Sequence, residues 1–226
     1  MPAESKRDSF EQKPYQPPPG ATEVTLVRHG ASQAAVAGQR FELVDGHSNP
    51  PLSAVPGRHQ AQLVADALRD EAFDRAFVTP LRRTQETAAP FLAATGMEAE
   101  VIEEFVEVSL GDWEGGEYRI RAGRGDPLIA QMHAEQRWDV IPGGETLDSL
   151  GARVRAGMER VVAATGPGRR AVVFGHGAVI GEICRQACDA RGFAFIHSDN
   201  GSISRVIVSA DGAWLLRSFN DTTHLR

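Results

Sequence analysis

The chain has 226 residues, 42% of them hydrophobic, which is enough to bury one substantial core, so we expect one domain. Its formal net charge of −6 at pH 7 argues against a nucleic-acid partner, which would require a basic face for phosphates. No apolar run has the length of a membrane span or the pattern of a signal peptide, which predicts a cytoplasmic location and no membrane partner.

The first twenty residues differ in composition from the rest. They hold five of the thirteen prolines and both lysines, Lys6 and Lys13. Such a segment buries too little apolar surface to offset the entropy lost on ordering. We therefore predict a flexible, proline-rich tail over residues 1–20 and a single domain over residues 21–226.

Beyond this tail, short apolar runs alternate with longer amphipathic stretches. The runs VTLV, RAFVTP and RRAVVFG are predicted strands, and GETLDSLGARVRAGMERVVAATG is a predicted helix that begins near Thr146 or Asp148 and ends before Gly166. This alternation is typical of strand–helix units on a mainly parallel sheet. Two alternating runs around Asp211 and Gly212 predict a terminal hairpin, so the fold class is α/β with a mixed sheet.

The two cysteines, Cys184 and Cys188, lie four residues apart on one face of a predicted helix. We interpret them as small side chains that are buried or half-buried. A structural disulfide is not expected, and the neighbouring sequence lacks the spacing of a metal site.

Two predicted strands end in a histidine followed by a glycine. LVRHG delivers Arg28, His29 and Gly30, and VVFGHG delivers His176 and Gly177. Ligands of open α/β sheets bind beyond the carboxyl ends of the strands, so these side chains are expected at one edge of the sheet. Taken singly, a histidine at a strand end is more often a core or loop residue, and the glycines are ordinary turn residues.

Further charged residues follow a third strand. FVTPLRR brings Arg82 and Arg83 to the start of a helix, and the segment EFVEVSLGDWEGG contains the carboxylates Glu103, Glu104, Glu107, Asp112 and Glu114. A neutral histidine can attack an electrophile, arginines match phosphate oxygens, and a carboxylic acid can protonate a leaving oxygen. Together these residue types predict phosphoryl transfer through a phosphohistidine.

Six blocks spanning about residues 23–225 resemble the histidine phosphatase superfamily, which includes the cofactor-dependent phosphoglycerate mutases. The matching blocks are LVRHGAS, DGHSNPPLSAVPGRHQA, TPLRRTQETA, FVEVSLGDWEG, IPGGETLDSLGARV and VVFGHGAVI. The resemblance implies a three-layer α/β/α sandwich with a mainly parallel, mixed sheet. It also implies a phosphatase that needs no metal or other cofactor and acts on a small phosphorylated substrate.

The resemblance implies a role for individual residues. His29 corresponds to the nucleophile and Glu107 to the general acid and base. Alignment of the third block with S-P-L-x-R-A-x-Q-T-A selects Arg83, not Arg82, as a phosphate ligand. The remaining phosphate-binding residues that we expect are Arg28, His176, Gly30, Ser32 and Gly177.

Two positions depart from the family pattern. Ala31 replaces the common Glu, Gln or Thr after R-H-G, and Ala35 stands where an asparagine often contacts phosphate or substrate. These departures favour a changed substrate preference, or, as a minor alternative, a weakly catalytic module that binds phosphorylated ligands.

The stretch after Glu107 separates a phosphatase from a mutase. The mutases of the family carry E-R-x-Y-G and a longer inserted lid, whereas this chain has only residues 116–142 before its P-G-G-E block, which favours hydrolysis. Among the possible lid contacts in this stretch, we expect most to be surface charges: Tyr118, Arg119, Arg121, Arg124, His133 and Trp138. The tail or the terminal hairpin could mediate a homodimer.

Overall fold

The computed structural model describes residues 10–226. The strands are β1 Thr22–Arg28, β2 Leu43–Val44, β3 His47–Ser48, β4 Arg75–Val78, β5 Ala99–Val101, β6 Arg170–Gly175, β7 Ile203–Val208 and β8 Trp214–Asp221. The helices are α1 Gly57–Leu68, α2 Arg82–Thr95, α3 Glu117–Arg124, α4 Pro127–Glu135, α5 Leu147–Thr165 and α6 Gly177–Cys188. Short 3-10 helices cover Glu103–Phe105, Gly111–Trp113, Trp138–Val140 and Thr223–Leu225.

Six strands form one sheet in the order β5-β4-β6-β1-β7-β8. β5, β4, β6 and β1 run parallel, whereas β7 and β8 are antiparallel to their neighbours. The predicted mixed sheet and the predicted terminal hairpin are therefore confirmed. In the β1–β6 register Arg28 lies opposite Gly175, so the residues that follow both strands emerge side by side at one edge.

Helices cover both faces of the main sheet, which gives the predicted three layers. Along β1, Leu26 packs into the core shared with α5 and α6, and its neighbour Val27 packs into the core shared with α1 and α2. Burial on both faces explains why the parallel strands read as continuous apolar runs. Phe91 of α2 and Phe174 of β6 are fully buried, and each such side chain stabilises the fold by roughly 1.5–3 kcal/mol.

The ends of α5 agree with the sequence signals. Thr146 precedes the helix and its hydroxyl accepts a hydrogen bond from the Ser149 N–H at 3.1 Å, while Gly166 follows the last residue. The expectation for the cysteines is only half right. Cys184 is buried, and burial raises the pKa of its thiol to about 12, but Cys188 is exposed because the last turn of α6 extends beyond the core.

Residues 10–20 contain no helix or strand. Phe10 is exposed, but the ring of Tyr15 lies under the guanidinium of Arg217 on β8, with 3.9 Å between Cζ and the ring centroid. The flexible tail stays a prediction, and its residues 1–9 lie outside the described part of the chain. Across residues 10–226, no helix has the length and apolar character needed to cross a membrane.

Candidate active site

His29 directly follows β1, and its side chain is buried at the carboxyl edge of the sheet. Its Nδ1 lies 2.7 Å from the carbonyl oxygen of Gly30, and its Nε2 lies 3.2 Å from Nε of Arg83. A carbonyl oxygen can only accept and a guanidinium can only donate. Nδ1 therefore carries the proton, and Nε2 holds the lone pair that a nucleophile needs.

The surroundings of His29 keep the ring neutral. Burial, followed by the positive charges of Arg83 and Arg28, lowers its pKa well below the ordinary value of 6.5. Burial and the charge of Arg83 lower the pKa of His176 in the same way. Both rings are therefore unprotonated at neutral pH, which leaves Nε2 of His29 available for attack.

Two guanidiniums adjoin this nucleophile, that of the buried Arg83 and that of the half-buried Arg28. Arg83 is only 6% exposed and donates to the Ser48 carbonyl at 2.7 Å, and Arg28 donates to the Ser198 carbonyl. Neither has a carboxylate within 4.0 Å among residues 10–226. Burial lowers the pKa of both, that of Arg83 to about 10. Such unpaired, partly desolvated cations form a site for an anion.

The neighbouring arginine is different. Arg82 points to solvent, where its guanidinium pairs with Glu86 at 3.1 Å, one helical turn further along α2. The two adjacent arginines thus lie on opposite faces of the helix start, and only Arg83 contacts His29.

His176 follows β6 and is completely buried beside His29, with 5.3 Å between the ring centroids. Its Nε2 lies 2.8 Å from Oγ1 of Thr79, which lies 2.9 Å from Oγ1 of Thr84. Each hydroxyl has one proton, and the Thr84 hydroxyl reaches both Oγ1 of Thr79 and the Leu81 carbonyl at 2.8 Å. A bound anion favours the arrangement in which Thr84 donates to Thr79 and Thr79 donates to Nε2 of His176, because this leaves the ring proton on Nδ1.

Nδ1 of His176 is buried and has no hydrogen-bond partner within the described chain. The same is true of Nε of Arg28. Burying a polar group without a partner is costly, and an oxygen of a bound anion would satisfy both atoms. The unsatisfied donors thus mark where a phosphate fits.

Glu107 completes the cluster from the loop after β5. One carboxylate oxygen, Oε1, accepts from the N–H groups of Val108 at 3.0 Å and Ala178 at 3.2 Å, the second residue of α6. These two bonds fix the carboxylate, which lines the same cavity as His29. Its other oxygen has no partner in the described residues and is available for proton transfer.

The cavity beside these residues has a volume of about 370 Å³, far more than a phosphoryl group needs. It is also lined by Trp113 and Ile196 and by four residues of the inserted stretch, namely Tyr118, Arg119, His133 and Trp138. Of these four, Trp138 is buried and Tyr118 is half-buried, whereas Arg119 and His133 are exposed although they line the cavity. The expectation of surface charge agrees with the exposure of Arg119, His133 and Arg124, and Arg121 pairs with Glu117 and Asp126.

The predicted role of Gly30 needs correction, whereas that of Gly177, which lines the cavity, stays a prediction. The N–H of Gly30 is occupied by Oγ1 of Thr87 at 3.0 Å, and a Cβ at this position would lie 2.4 Å from the Gly57 carbonyl. Gly30 is required by contact with the start of α1 and not by a phosphate. A Cβ at Gly177 would lie 3.2 Å from Nε of Arg28, so this glycine leaves room for the arginine.

Ser32 and the two alanines near it lie at the margin of the site. The Ser32 hydroxyl accepts from Arg119 at 2.7 Å, and its donation to phosphate stays a prediction. The N–H of Ala31 donates to Oε1 of Gln60 at 2.8 Å. A Cβ at Gly116 would lie 3.2 Å from that of Ala35, so Ala35 lies close to the backbone of the inserted stretch.

Several residues of the site escaped the sequence interpretation. Thr79 ends the FVT run just before P-L-x-R, which is the one usable signal for it. Asn200 donates to the His29 carbonyl at 2.9 Å, and Glu114 accepts from the Ser48 N–H at 2.8 Å. Asn200 and Ser198 come from a loop without periodicity, so no sequence pattern indicates that they reach the site.

The sandwich fold and the grouping of two histidines, two arginines and a glutamate at one sheet edge define the class: an α/β protein with a candidate phosphate site at the carboxyl ends of its strands. A family model of the histidine phosphatase superfamily (branch 1) matches residues 24–222. The chain belongs to this superfamily.

Two curated relatives illustrate its range. The bifunctional protein Rv2228c of Mycobacterium tuberculosis is 31% identical over 206 residues, which cover 90% of this chain and 55% of the relative. The chain thus spans about half the length of that protein. A probable phosphoglycerate mutase GpmB of Yersinia enterocolitica is 28% identical over 209 residues, covering 90% of this chain and 94% of the relative.

Solved structures share the fold. A mycobacterial glucosyl-3-phosphoglycerate phosphatase superposes with a TM-score of 0.72 at 24% identity, covering 89% of this chain and all of the other. The alpha-ribazole phosphatase of Shigella flexneri gives 0.70 at 24% identity, covering 88% and 96%. A phosphoglycerate mutase of Bacillus anthracis gives 0.75 at 17% identity, covering 92% and 96%. These likenesses are evidence for the fold alone.

Proposed function

We propose that this chain is a metal-independent phosphomonoester hydrolase that forms a phosphohistidine on His29 and uses Glu107 as general acid and base. One observation carries the proposal. The lone pair of a buried, neutral His29 lies beside the guanidiniums of Arg83, which is buried, and of Arg28, which is half-buried, and neither has a carboxylate partner among residues 10–226. This arrangement suits attack on a dianionic phosphoryl group.

In the first step Nε2 of His29 forms a bond to phosphorus as the bond from phosphorus to the ester oxygen breaks. The leaving oxygen takes a proton from Glu107. Arg28, Arg83 and Nδ1 of His176 donate to the three non-bridging oxygens, where negative charge is concentrated. Removal of one such donor from a comparable site costs roughly 100- to 1000-fold in rate.

In the second step water attacks phosphorus and Glu107 accepts its proton. The bond from phosphorus to Nε2 breaks, its electron pair returns to the nitrogen, and inorganic phosphate leaves. A divalent cation has no place in this scheme, because Arg28 and Arg83 would repel it. In the described residues, no group of three or more His, Cys, Asp or Glu side chains could hold a metal ion.

The segments that lie over the site favour hydrolysis over mutase activity. α3 and α4 form a short lid, and Arg119 and His133, which line the cavity, are exposed, so water can reach a phosphohistidine. A mutase must exclude water while a bisphosphorylated intermediate turns over within the site.

The test is hydrolysis of 4-nitrophenyl phosphate in excess EDTA, with and without 2,3-bisphosphoglycerate. We expect activity that neither additive changes, a loss of roughly a thousandfold or more in His29→Ala, and a large loss in Arg83→Ala. Arg82→Ala is the matched control, since it removes the adjacent charge on the surface. Loss of activity in EDTA would refute the metal-free mechanism, and dependence on the bisphosphate would indicate a mutase. Phosphate binding without turnover would indicate a binding module.

A further inference from the structure

Arg119 of α3 reaches across the mouth of the cavity to the loop that follows β1. Its NH2 donates to Oγ of Ser32 at 2.7 Å and its NH1 donates to the carbonyl of Gln33 at 3.0 Å. The side chain lines the same cavity as His29 and Arg28. Arg119 therefore lies where it can contact a substrate that extends outward from the phosphoryl group.

Both acceptors of Arg119 are neutral. No carboxylate lies within 4.0 Å of its guanidinium in the described range 10–226, whereas Arg121 on the same helix pairs with Glu117 at 2.8 Å and Asp126 at 2.9 Å. Desolvation and then the charge of Arg28 lower the pKa of Arg119. A cation held beside another cation, on neutral partners only, favours the arrival of an anion.

The phosphoryl group alone does not account for this cation. It has three non-bridging oxygens, and the buried donors of Arg28, Arg83 and His176 are already available to them. Arg119 comes from the inserted stretch, is exposed, and lines the same cavity. The Arg119 guanidinium is therefore not needed to bind the phosphoryl group.

We propose that Arg119 binds a second anionic group, carried by the leaving group, and that the preferred substrates are phosphomonoesters with such a group. The inference rests on the proposed hydrolase function. The second anion replaces Ser32 and Gln33 as partners of the guanidinium and accepts two parallel hydrogen bonds from it. The geometry also assigns α3 a role in substrate choice.

The experiment uses two substrates that differ in charge alone, 3-carboxyphenyl phosphate and its neutral amide, 3-carbamoylphenyl phosphate. The measured quantity is the ratio of kcat/KM for the acid to kcat/KM for the amide. We expect the wild type to prefer the acid by about tenfold to a hundredfold, as for a hydrogen-bonded charge pair. Arg119→Gln should bring this ratio close to one while its kcat/KM for the amide stays within about threefold of wild type.

Two further variants make the result specific. Arg119→Lys keeps the charge and should retain part of the preference, which separates a binding role from a folding defect. Arg124→Gln removes the same charge from the same helix at an exposed position outside the cavity and should leave the ratio unchanged.

The two proposals fail in different ways. Hydrolysis of both substrates by the wild type, with no preference for the acid or with a preference that Arg119→Gln retains, would overturn the role of Arg119 and leave the hydrolase intact. An equal loss of the preference for the acid in Arg124→Gln would show that any positive charge on α3 has this effect. That result would also overturn the role of Arg119. Hydrolysis of neither substrate would overturn the hydrolase itself, and this inference with it.

Discussion

Arg83 donates its Nε–H to Nε2 of His29 across 3.2 Å. The guanidinium thus occupies the nucleophile's lone pair when no phosphate is bound. Guanidinium and phosphate form strong, charge-assisted hydrogen bonds, so an arriving phosphoryl group competes for the same N–H and exposes the lone pair. The contact explains how a histidine can remain neutral and oriented inside a positively charged pocket.

Thr79 is expected to act through His176, as a positioning residue. In Thr79→Val the hydroxyl that contacts Nε2 is lost, so the ring is free to place its proton on Nε2 and to present a lone pair to the phosphate. We expect kcat/KM for 4-nitrophenyl phosphate to fall by roughly ten- to a hundredfold. Thr79→Ser keeps the hydroxyl and should recover most of the activity. Equal losses in both variants would show that Thr79 acts through packing only.

Glu107→Gln separates the two chemical steps. Nitrophenolate leaves without help from an acid, so His29 is still phosphorylated, whereas attack by water on the phosphohistidine lacks its base. We expect a burst of nitrophenol followed by turnover slowed by about 100- to 10,000-fold. Stopped-flow absorbance measures both phases. Steady turnover at the wild-type rate would contradict the role of Glu107.

The buried histidines predict a loss of stability in acid. Burial first, and then nearby positive charge, lowers the pKa of His29 and His176 below 6.5. Between the lowered pKa and about 6.5 the unfolded chain binds more protons than the folded one, so the free energy of unfolding decreases as the pH falls through this window. Each histidine adds at most about 1.4 kcal/mol per pH unit to this decrease in the free energy of unfolding.

Urea unfolding at several values between roughly pH 7 and pH 5 measures this dependence. His29→Gln should reduce the slope of the unfolding free energy against pH by the contribution of one histidine. His59→Gln, on the exposed face of α1, serves as the control and should leave the slope as it is. An unchanged slope in His29→Gln would show that this ring is not held neutral by the fold.

Gly30 is expected to matter for stability. A Cβ at this position would lie 2.4 Å from the backbone carbonyl of Gly57, which cannot move without shifting α1. Gly30→Ala should therefore lower the free energy of unfolding by roughly 1–3 kcal/mol or more, as overpacking does. Gly175→Ala, where no described atom outside its chain neighbours lies within 4 Å of the new Cβ, should be close to neutral when both variants are compared by urea unfolding. Similar values for the two variants would refute the steric explanation.

The sequence predicts the fold well because its signals are local. Alternating runs such as VTLV and RRAVVFG, and the helix cap at Thr146, each report the conformation of their own segment. The same strand ends place His29 and His176 at one edge of the sheet. The Gly30 role was misassigned, because the atom that approaches it, the Gly57 carbonyl, belongs to a distant segment.

The outer half of the site is the part that local patterns do not reveal. Arg119 and Arg124 lie on the same short helix, are the same residue type and are both exposed, yet only Arg119 lines the cavity. Only the direction in which α3 folds over the sheet edge separates them. Ser198 likewise contacts the site through tertiary packing, which no spacing in the sequence reports.

The central claim is that Nε2 of His29 carries the phosphoryl group during turnover. The most direct measurement is mass spectrometry of wild-type protein and of Glu107→Gln, quenched in alkali during reaction with 4-nitrophenyl phosphate. The account predicts a gain of one phosphoryl group on the peptide that contains His29, stable in alkali and lost in acid. Full turnover with no phosphorylated peptide, or phosphorylation of another residue, would contradict it.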